Sequence, residues 1–289
     1  MLVGIAGATG YQGSWTVCKL HERGYTVRAL VRKTSDISAI EPFCEVRVVD
    51  FDSQSCIRDA LQGVEVLIMC LSRRRGSDTT HEELMHLRFR LVHAAREANV
   101  KTIARISSHI PEQDLHLSEV FSQQKAVDDL IRSQKDMRYI LLHVTSFCKD
   151  LDVLFEMIKK KNICIIPGPG TYRLHPIHRD DLADYLIDAI GRDEAGKIEV
   201  TIGGPVDVSL KEMAQTYFKE LKRQVRIYHI PMWLLKLGIL AAGLMSFIPR
   251  FRLIHSMLGL FYFGFARNHL GEHVGKHNPH MYIREYVHP

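Results

Sequence analysis

The sequence lacks several features that would point to other classes of protein. It has no apolar run of the length that a transmembrane helix needs, about 20 residues, so no segment is predicted to cross a bilayer. It has no internal repeat and no low-complexity stretch, which argues against solenoid and fibrous folds. None of its six cysteines forms a C-x-x-C pair, so we expect small buried thiols in a reducing compartment.

Dense clusters of positive charge are also missing. The chain has 289 residues and a formal net charge of +5, without a long Lys/Arg run interleaved with aromatics. No nucleic-acid partner is therefore expected. A composition of 46% hydrophobic and 25% charged residues is typical of a globular protein with a full-sized core. The first predicted strand begins at Leu2, so we expect no signal peptide and a cytoplasmic location.

Short apolar segments and helical patterns alternate along the first two thirds of the chain. This alternation predicts an α/β fold, a doubly wound parallel Rossmann sheet with helices on both faces. The predicted strands are Leu2–Ala6, Val27–Val31, Val46–Val49, Val64–Leu71, Thr102–Ser107, Tyr139–Val144 and Val200–Gly203. The predicted helices span residues 11–23, 55–63, 79–99 and 117–134.

The character of the sequence changes after residue 206. We predict a dinucleotide-binding domain over residues 1–206, with substrate-lobe insertions after residue 147. A smaller, mostly helical substrate lobe is predicted over residues 207–289. Ser209 and Glu212 have the spacing of a capping box at the start of a helix in that lobe.

Two segments of this lobe are almost entirely apolar. They are Leu237–Ile248 and Leu253–Ala266. One interpretation is a buried helical pair, or a lid over a pocket for an apolar substrate. The other is peripheral membrane contact by a monotopic hairpin over residues 232–266, with Arg250, Arg252 and Arg267 at the lipid headgroups. The sequence leaves both open.

A glycine-rich segment lies directly after the first predicted strand. Its residues are Gly7, Ala8, Thr9, Gly10, Tyr11, Gln12 and Gly13. In this G-x-x-G-x-x-G pattern the first glycine allows a tight turn and the second lets the backbone approach a pyrophosphate. The third lets the following helix pack on the strand, with its N-terminal N–H groups facing the phosphates. The strand-turn-helix context predicts that this loop binds a dinucleotide.

Basic residues follow the second predicted strand, where an NAD site would have a carboxylate for the ribose 2′-hydroxyl. Arg32 and Lys33 occupy this position. A guanidinium makes paired, charge-assisted hydrogen bonds to a phosphate. We therefore predict NADP(H) in preference to NAD(H) as the cofactor, bound in part by Arg32 and Lys33.

Further cofactor contacts are expected at the ends of the third and fourth strands, because ligands bind at the carboxyl ends of parallel strands. Asp50 is placed to accept from the adenine amino group, and Phe51 to lie beside the ring. Leu71 and Ser72 are expected to line the dinucleotide trough. The nearby basic run Arg73–Arg75 is interpreted as a solvated loop or as a contact to cofactor phosphate or an acidic substrate group.

These motifs together resemble the atypical branch of the short-chain dehydrogenase/reductase superfamily. The resemblance is carried by the glycine loop, Arg32, Asp50, Ile106–Ser108, Lys125 and His175–Ala183. Within that branch the chain is similar to the divinyl chlorophyllide 8-vinyl reductase-like and NmrA-like group. That similarity is carried by Leu71–Gly76, Thr145–Leu151 and the apolar region after Pro231.

The resemblance implies an active site with one departure from the usual pattern. The superfamily generally uses a Tyr-x-x-x-Lys pair with an upstream serine. It implies that Lys125 holds the nicotinamide ribose and that Ser107 orients the nicotinamide or the substrate, so both are catalytic and cofactor-binding candidates. It also implies cofactor contacts for Thr145 and Phe147. The tyrosine position is Phe121, which cannot transfer a proton.

Two functions remain compatible with this pattern. The first is an NADP(H)-dependent oxidoreductase that reduces a double bond or carbonyl of a bulky apolar substrate, with a proton from solvent or another side chain. The second is a non-catalytic, NmrA-like NADP(H)-binding redox sensor or assembly factor, suggested by the missing tyrosine. No metal is predicted, since the C-terminal histidines are interpreted as a polar tail or pocket rim; they are His269, His273, His277 and His280.

Overall fold

The computed structural model describes residues 1–72, 79–192, 196–245 and 248–287. The basic run Arg73–Arg75 lies outside the described residues. The strands are β1 Leu2–Ala6, β2 Thr26–Val31, β3 Glu45–Val48, β4 Val66–Met69, β5 Thr102–Ser108, β6 Arg138–Val144, β7 Ser146–Phe147, β8 Cys164–Pro167, β9 Arg173–Leu174, β10 Pro176–Ile177, β11 Ile198–Gly203, β12 Val208–Ser209, β13 Ile227–Ile230 and β14 Glu272–His273.

Helices follow most of the long strands. They are α1 Tyr11–Glu22, α2 Gln54–Ala60, α3 His81–Glu97, α4 Glu119–Ser133, α5 Asp152–Lys161, α6 Arg179–Gly191, α7 Leu210–Glu220, α8 Met232–Leu244, α9 Pro249–Phe265 and α10 Pro279–Val287. Short 3-10 helices lie at Glu41–Phe43, Glu112–Leu117 and Cys148–Leu151. The seven predicted strands and four predicted helices are all present, with ends that differ by a few residues at most.

The main sheet has the topology of a dinucleotide-binding fold. Its strand order is β14-β11-β6-β5-β4-β1-β2-β3. Strand β1 pairs in parallel with β2 and β4, β2 pairs in parallel with β3, and β4 with β5. The segment β3-β2-β1-β4-β5-β6 is the order of a doubly wound Rossmann sheet. The predicted α/β fold class is therefore confirmed.

The described residues form two compact units that interleave along the chain. The first unit comprises residues 1–107, 123–143 and 182–200. The second comprises residues 108–122, 144–181 and 201–289. Residues 108–122, 144–181 and 201–206 thus belong to the second unit although they precede the boundary predicted at residue 206. The first two of these segments follow strands β5 and β6.

The first unit is built on strands that are apolar on both faces. Val3, Ile5, Leu67 and Ile68 are completely buried, as expected for a parallel strand covered by helices on both sides. Helix α1 ends before Gly24, which adopts a φ of +78° that favours glycine. Local residues such as Gly24 thus determine where a helix ends, and burial of apolar side chains determines which faces of a strand are covered.

The second unit has its own aromatic core. Phe155 stacks on Tyr217 with ring centroids 4.4 Å apart. Ser209 and Glu212 form the predicted capping box of α7, with the Ser209 side chain accepting from the backbone N–H of Glu212 at 3.2 Å.

Helices α8 and α9 of this unit have different surroundings. In α9, Ser256 is buried and its hydroxyl lies 2.6 Å from that of Ser118. Among the described residues of α8, by contrast, Ala242 alone is buried. The interpretation as a buried helical pair is therefore wrong for α8, because most of its apolar side chains face solvent in this unit.

Arg267, just beyond α9, forms a bidentate salt bridge. Its two terminal nitrogens contact the carboxylate of Asp114 at 2.5 and 2.7 Å, and Asp114 is buried. The guanidinium is thus held by a carboxylate of its own unit, and the predicted placement of Arg267 at lipid headgroups stays a prediction. Among the described residues, no helix is both long and apolar enough to cross a bilayer.

Candidate functional site

The carboxyl ends of the central strands bring the predicted cofactor residues of the first unit to one edge. Ala6 of β1 pairs with Leu30 of β2 and with Met69 of β4. Met69 in turn pairs with Arg105 of β5. The parallel register therefore places the residues that follow these strands in a row: Arg32, the glycine loop, Leu71 and Ser107. Neighbouring strands lie about 4.8 Å apart, so this row spans about 15 Å.

The glycine loop has a backbone geometry that only glycine permits at two positions. Gly7 has a φ of +84°, and a Cβ there would lie 2.6 Å from the carbonyl oxygen of Cys70. A Cβ on Gly13 would overlap the carbonyl oxygen of Gly7. The loop closes with a hydrogen bond from the backbone N–H of Gly10 to Gly7 O at 3.0 Å. Side chains at these two positions would push the loop away from the strand ends.

Helix α1 begins at this loop with its N-terminus suited to an anion. Its N-cap is Gly10, without a side-chain capping hydrogen bond, and its first turn contains no acidic residue. Backbone N–H groups of a first helical turn have no partner within the helix, and the helix dipole favours negative charge there. The loop therefore fits a pyrophosphate, which is the role predicted for Gly7, Thr9, Gly10, Tyr11, Gln12 and Gly13.

On one side of the loop lie the residues predicted to bind the adenosine half. Arg32 and Lys33 are both exposed at the end of β2. The carboxylate of Asp50 accepts from the backbone N–H of Asp52 at 3.0 Å and is exposed. Phe51 is half-buried beside it. The predicted roles of these residues in binding the 2′-phosphate and adenine remain predictions.

On the other side of the loop lie Leu71 and Ser72, after β4. The carbonyl oxygen of Leu71 accepts a hydrogen bond from Nη2 of Arg88 at 2.6 Å. Burial lowers the pKa of Arg88 to about 10, so the guanidinium stays charged at neutral pH. A buried cation thus fixes the backbone at the strand end where the cofactor trough was predicted.

Ser107 lies at the carboxyl end of β5 and is hydrogen-bonded to a histidine that no sequence motif singles out. The hydroxyl oxygen of Ser107 is 2.9 Å from Nδ1 of His143 on β6. The other ring nitrogen, Nε2, is 2.9 Å from Oε1 of Glu199 on β11. Three adjacent strands therefore contribute one side chain each to a continuous hydrogen-bond chain.

The charge on Glu199 decides the direction of these hydrogen bonds. Arg132 of α4 binds both carboxylate oxygens of Glu199, at 2.5 and 3.0 Å. This pairing lowers the pKa of Glu199 to about 2, so the carboxylate is ionised and can only accept. The proton of a neutral His143 is consequently assigned to Nε2, which leaves Nδ1 to accept from the Ser107 hydroxyl.

Lys125 lies on α4 near the same network. Its Nζ is 3.2 Å from Oδ2 of Asp129, one helical turn away. Asp129 also contacts Arg132 at 2.5 Å. A chain of charged contacts therefore connects Lys125 with the Ser107 network through Asp129 and Arg132.

A buried ion pair joins the strand that carries Ser107 to the helix that carries Arg132. Arg105 lies two residues before Ser107, on the same face of β5, and forms an ion pair with Asp128 of α4. Both side chains are buried. A buried pair of this kind holds strand and helix together only while both charges are present.

Three of the predicted positions lie in the second unit. Phe121 is 4% exposed, and its ring packs edge-on against Phe263 with centroids 4.8 Å apart. The Thr145 hydroxyl donates to the carbonyl oxygen of His175 at 3.1 Å, and the backbone N–H of Phe147 donates to Asp150 at 3.0 Å. The position of the usual tyrosine is thus part of an apolar contact, and cofactor contacts by Thr145 and Phe147 stay predictions.

One group of side chains in the described residues has the composition of a metal site. Ligand atoms of His178, Asp180 and His277 lie within 4.8 Å of one another. However, Nδ1 of His178 accepts from the backbone N–H of Asp180 at 3.3 Å, and Nδ1 of His277 contacts Asp181 at 2.7 Å. We interpret this group as a hydrogen-bonded cluster, and the absence of a metal remains a prediction.

The second unit also contains an apolar groove. It has a volume of about 460 Å³ and is lined by Leu117, Ile239, Leu240, Leu244 and Tyr262, with His116, Lys236 and His255 as polar groups. Sites for bulky apolar ligands have this character, an apolar lining with a few polar groups.

Fold and glycine loop together define a dinucleotide-binding protein of the Rossmann class. The chain belongs to the NAD(P)H-binding family, whose model matches residues 7–193. This confirms the predicted resemblance to atypical short-chain dehydrogenase/reductase proteins.

Two named relatives match most of this chain. Divinyl chlorophyllide a 8-vinyl-reductase of Cucumis sativus is 23% identical over 268 residues, which cover 86% of this chain and 62% of that protein. Photosystem II assembly factor Ycf39 of Trieres chinensis is 23% identical over 235 residues, or 81% of this chain and 73% of that protein. The chain thus spans about three fifths of the length of the vinyl reductases that it matches.

Solved structures share the fold. An NADPH-dependent quinone oxidoreductase from Escherichia coli, complexed with NADPH, superposes with a TM-score of 0.68 and 18% identity, over 99% of this chain and 100% of that chain. The structure named gox2253 has a TM-score of 0.74 and 19% identity, over 99% and 96% of the two chains. At this identity the likeness is one of fold.

Proposed function

We propose that the protein is an NADP(H)-dependent reductase of a bulky apolar substrate with a conjugated double bond or a quinone-type carbonyl. The observation that carries the proposal is the row of groups at the carboxyl edge of the first unit. Its backbone cradle for a pyrophosphate lies two strands from the hydrogen-bonded hydroxyl of Ser107. Such an arrangement supports hydride transfer from a dinucleotide next to a group that can handle a proton.

The preference for NADP(H) rests on the end of β2. Arg32 and Lys33 are exposed there, and a 2′-phosphate would meet two positive charges. The ribose 2′-hydroxyl of NAD would find no carboxylate at the same two positions.

Calorimetric titration of NADPH and NADH tests this preference. We expect Arg32→Ala to weaken NADPH binding about tenfold and to leave NADH binding unchanged, because one charge-assisted contact to phosphate contributes about 1.5 kcal/mol. Arg47→Ala, at another exposed position of the first unit, is the matched control. Equal affinities for the two cofactors, unaltered in Arg32→Ala, would contradict the assignment.

The substrate class is proposed from the second unit and from the relatives. The groove of about 460 Å³ is lined mainly by apolar side chains. Relatives and fold neighbours include proteins named for reduction of a vinyl group and of quinones. A conjugated, mostly apolar acceptor agrees with both features.

A panel of quinones, cyclic enones and vinyl tetrapyrroles, each mixed with NADPH, tests the activity through loss of nicotinamide absorbance. Turnover of at least one compound is expected. NADPH binding without any turnover would instead favour the alternative, a non-catalytic redox sensor or assembly factor, which Phe121 makes chemically reasonable.

We further propose that the protein contacts anionic membrane surfaces through α8. Trp233, Leu237, Leu240 and Leu244 follow one helix face and are 55% to 74% exposed. No Asp or Glu occurs between Pro231 and Ala266, whereas Lys236, Arg250 and Arg252 do. An apolar helix face in a segment whose sequence carries basic and no acidic residues matches an interfacial helix on anionic lipid.

Flotation with phosphatidylglycerol vesicles tests this contact. The protein is expected to float, and a Trp233→Gln/Leu237→Gln variant is expected to stay in the dense fraction. Val153→Gln, an exposed apolar position of α5, is the control for a general change in surface polarity. Failure to float, with loss of a dimer in the double variant, would assign the face to a second copy of the chain.

A further inference from the structure

Reduction by a hydride donor leaves a need for one proton that Phe121 cannot meet. The donor in the usual active site is a tyrosine hydroxyl, and here the corresponding ring is buried against Phe263. A replacement must combine an exchangeable proton with a route that restores it. Among the described side chains at the carboxyl edge of the first unit, Ser107 is connected to such a route.

The route consists of side chains from three adjacent strands. Ser107 Oγ lies 2.9 Å from Nδ1 of His143, and Nε2 of His143 lies 2.9 Å from Glu199. Arg132 binds both oxygens of Glu199 and keeps it ionised. These distances are those of well-formed hydrogen bonds, so the imidazole is held in one orientation and one tautomer.

The position of Ser107 in the sheet matches the part of the site where chemistry is expected. Ser107 is level with Leu71, because Met69 and Arg105 are paired in the parallel register. It lies two strands, or about 10 Å, from the glycine loop. A dinucleotide with its pyrophosphate at that loop extends one half towards β2 and the other towards β5. The hydroxyl therefore belongs to the nicotinamide side.

We propose that Ser107 donates the proton of the reduction and that His143, positioned by Glu199, replaces it. The proposal deepens the proposed reductase function and rests on it. Ser107 is the catalytic residue in this scheme, since it touches the substrate. His143 and Glu199 are positioning residues that act through it.

The substrate gains one hydride, which NADPH supplies on becoming NADP⁺, and one proton. The Ser107 O–H bond breaks as the proton passes to the reduced substrate, and Ser107 Oγ takes the Nδ1 proton of a His143 imidazolium. His143 is then neutral, and its Nε2–H still donates a hydrogen bond to the Glu199 carboxylate. Solvent then returns one proton to His143, and the net uptake is one H⁺ for each NADPH.

The charged groups around His143 set the pH dependence. They are Glu199 on β11, Arg105 on β5 and Arg132 on α4. Burial lowers the pKa of His143 below its usual value, and Arg105 and Arg132 act in the same direction while Glu199 opposes them. The imidazolium is therefore the minor form at neutral pH, and its fraction grows as the pH falls.

The first test is the pH profile of kcat with NADPH and a quinone from the panel. In the wild type, kcat is expected to rise as the pH falls from 8 to 5.5. His143→Gln is expected to lower kcat about tenfold or more and to flatten the profile, because the variant has no imidazolium to restore the proton. Glu199→Gln is expected to shift the rise to lower pH, since it removes the anion that favours the imidazolium.

Controls separate the relay from effects on folding. His93→Gln, at an exposed position of α3, is expected to keep the wild-type profile. Ser107→Thr retains a hydroxyl and is expected to keep part of the activity that Ser107→Ala loses. His143→Gln and Glu199→Gln are expected to bind NADPH with wild-type affinity, so a change confined to kcat marks a proton-transfer role.

A second readout needs no turnover. Nitrogen-15 NMR of the His143 side chain, without cofactor, is expected to show a neutral ring protonated at Nε2 at pH 7. Protonation at Nδ1, or a His143→Gln profile identical to that of the wild type, would overturn the relay alone. Absence of turnover with every compound of the panel would overturn the proposed reductase function and the relay together.

Discussion

The glycine loop and the Ser107 network lie at the same edge of the first unit but are built in opposite ways. The loop uses backbone atoms of seven consecutive residues, and its geometry depends on side chains being absent at Gly7 and Gly13. The network uses side chains whose positions differ by 36 and 56 residues along the chain. One site is local and the other is assembled by strand pairing.

The two regions also differ in their proposed roles: the glycine loop binds the cofactor, and the Ser107 network takes part in the reaction. The loop suits a pyrophosphate whatever reaction the cofactor takes part in, because its backbone N–H groups would donate only to phosphate oxygens. In the proposed reaction the network supplies the proton, and its geometry depends on the charges of Glu199 and Arg132. Substitutions in the two regions should therefore have different consequences, which the following experiments measure in order of decreasing effect.

Removal of Asp128 should have the largest effect on stability. It would leave the buried Arg105 without its carboxylate partner, and breaking a buried ion pair costs about 3–5 kcal/mol. We expect Asp128→Ala to lower the free energy of unfolding by about that amount in urea denaturation. Asp59→Ala, which breaks an exposed pair with Arg58, should cost less than about 1 kcal/mol. Similar costs for both variants would show that the network does not depend on this buried pair.

Substitution of Gly13 should affect the loop and leave the network intact. A Cβ at this position overlaps Gly7 O, so the loop must move away from the strand ends. We expect Gly13→Ala to weaken NADPH binding at least a hundredfold, about 2.7 kcal/mol, in calorimetric titration. Gly196→Ala, where a Cβ meets nothing within 4 Å, is the control. Retained affinity in Gly13→Ala would contradict the backbone cradle.

Lys125 is the test of a connection between loop and network. If it holds the nicotinamide ribose as predicted, Lys125→Ala should weaken cofactor binding or turnover about tenfold, the effect of one charge-assisted hydrogen bond. Lys135→Ala, an exposed lysine beyond α4, should change neither. Near-wild-type behaviour of Lys125→Ala in binding and in steady-state kinetics would remove this residue from the site.

The smallest effect expected is the acid sensitivity that Glu199 confers. Pairing with Arg132 holds the pKa of Glu199 at about 2 in the folded protein, below its usual value of 4.5. Its contribution to stability is therefore present above pH 4.5 and lost as the pH falls towards 2. Because the carboxylate is one third exposed, we expect only about 1 kcal/mol. Urea denaturation at pH 7 and pH 3 should show this loss in the wild type and a smaller one in Glu199→Gln.

Features carried by consecutive residues were predictable from the sequence. The strand Leu2–Ala6, the glycine turn and the capping box at Ser209 and Glu212 each depend on local residue type and spacing. The partnership of Ser107 with His143 was not predictable, although a histidine inside the apolar strand Ile140–Val144 was a visible signal. Its meaning depends on which strands are neighbours, and the strand order differs from the chain order.

The apolar hairpin shows the same limit. Composition alone left Leu237–Ile248 compatible with a buried helix or lid, the favoured interpretation, and with a membrane surface, because both environments exclude water. Packing decided that α9 contributes Ser256 to the interior of the second unit while α8 presents Trp233 and Leu244 outward. A hydrophobic pattern predicts that a helix face will be removed from water, but it does not predict whether that face packs on the protein or on a membrane.

By itself the sequence determined the class of fold and the cofactor loop, because periodicity and glycine geometry act over a few residues. It also determined that the usual tyrosine is missing, since Phe121 is read directly. Only the tertiary structure placed Ser107, His143 and Glu199 in one hydrogen-bond chain. The physical reason is that hydrogen bonds between side chains need contact in space, and parallel strand pairing creates that contact between residues far apart in the chain.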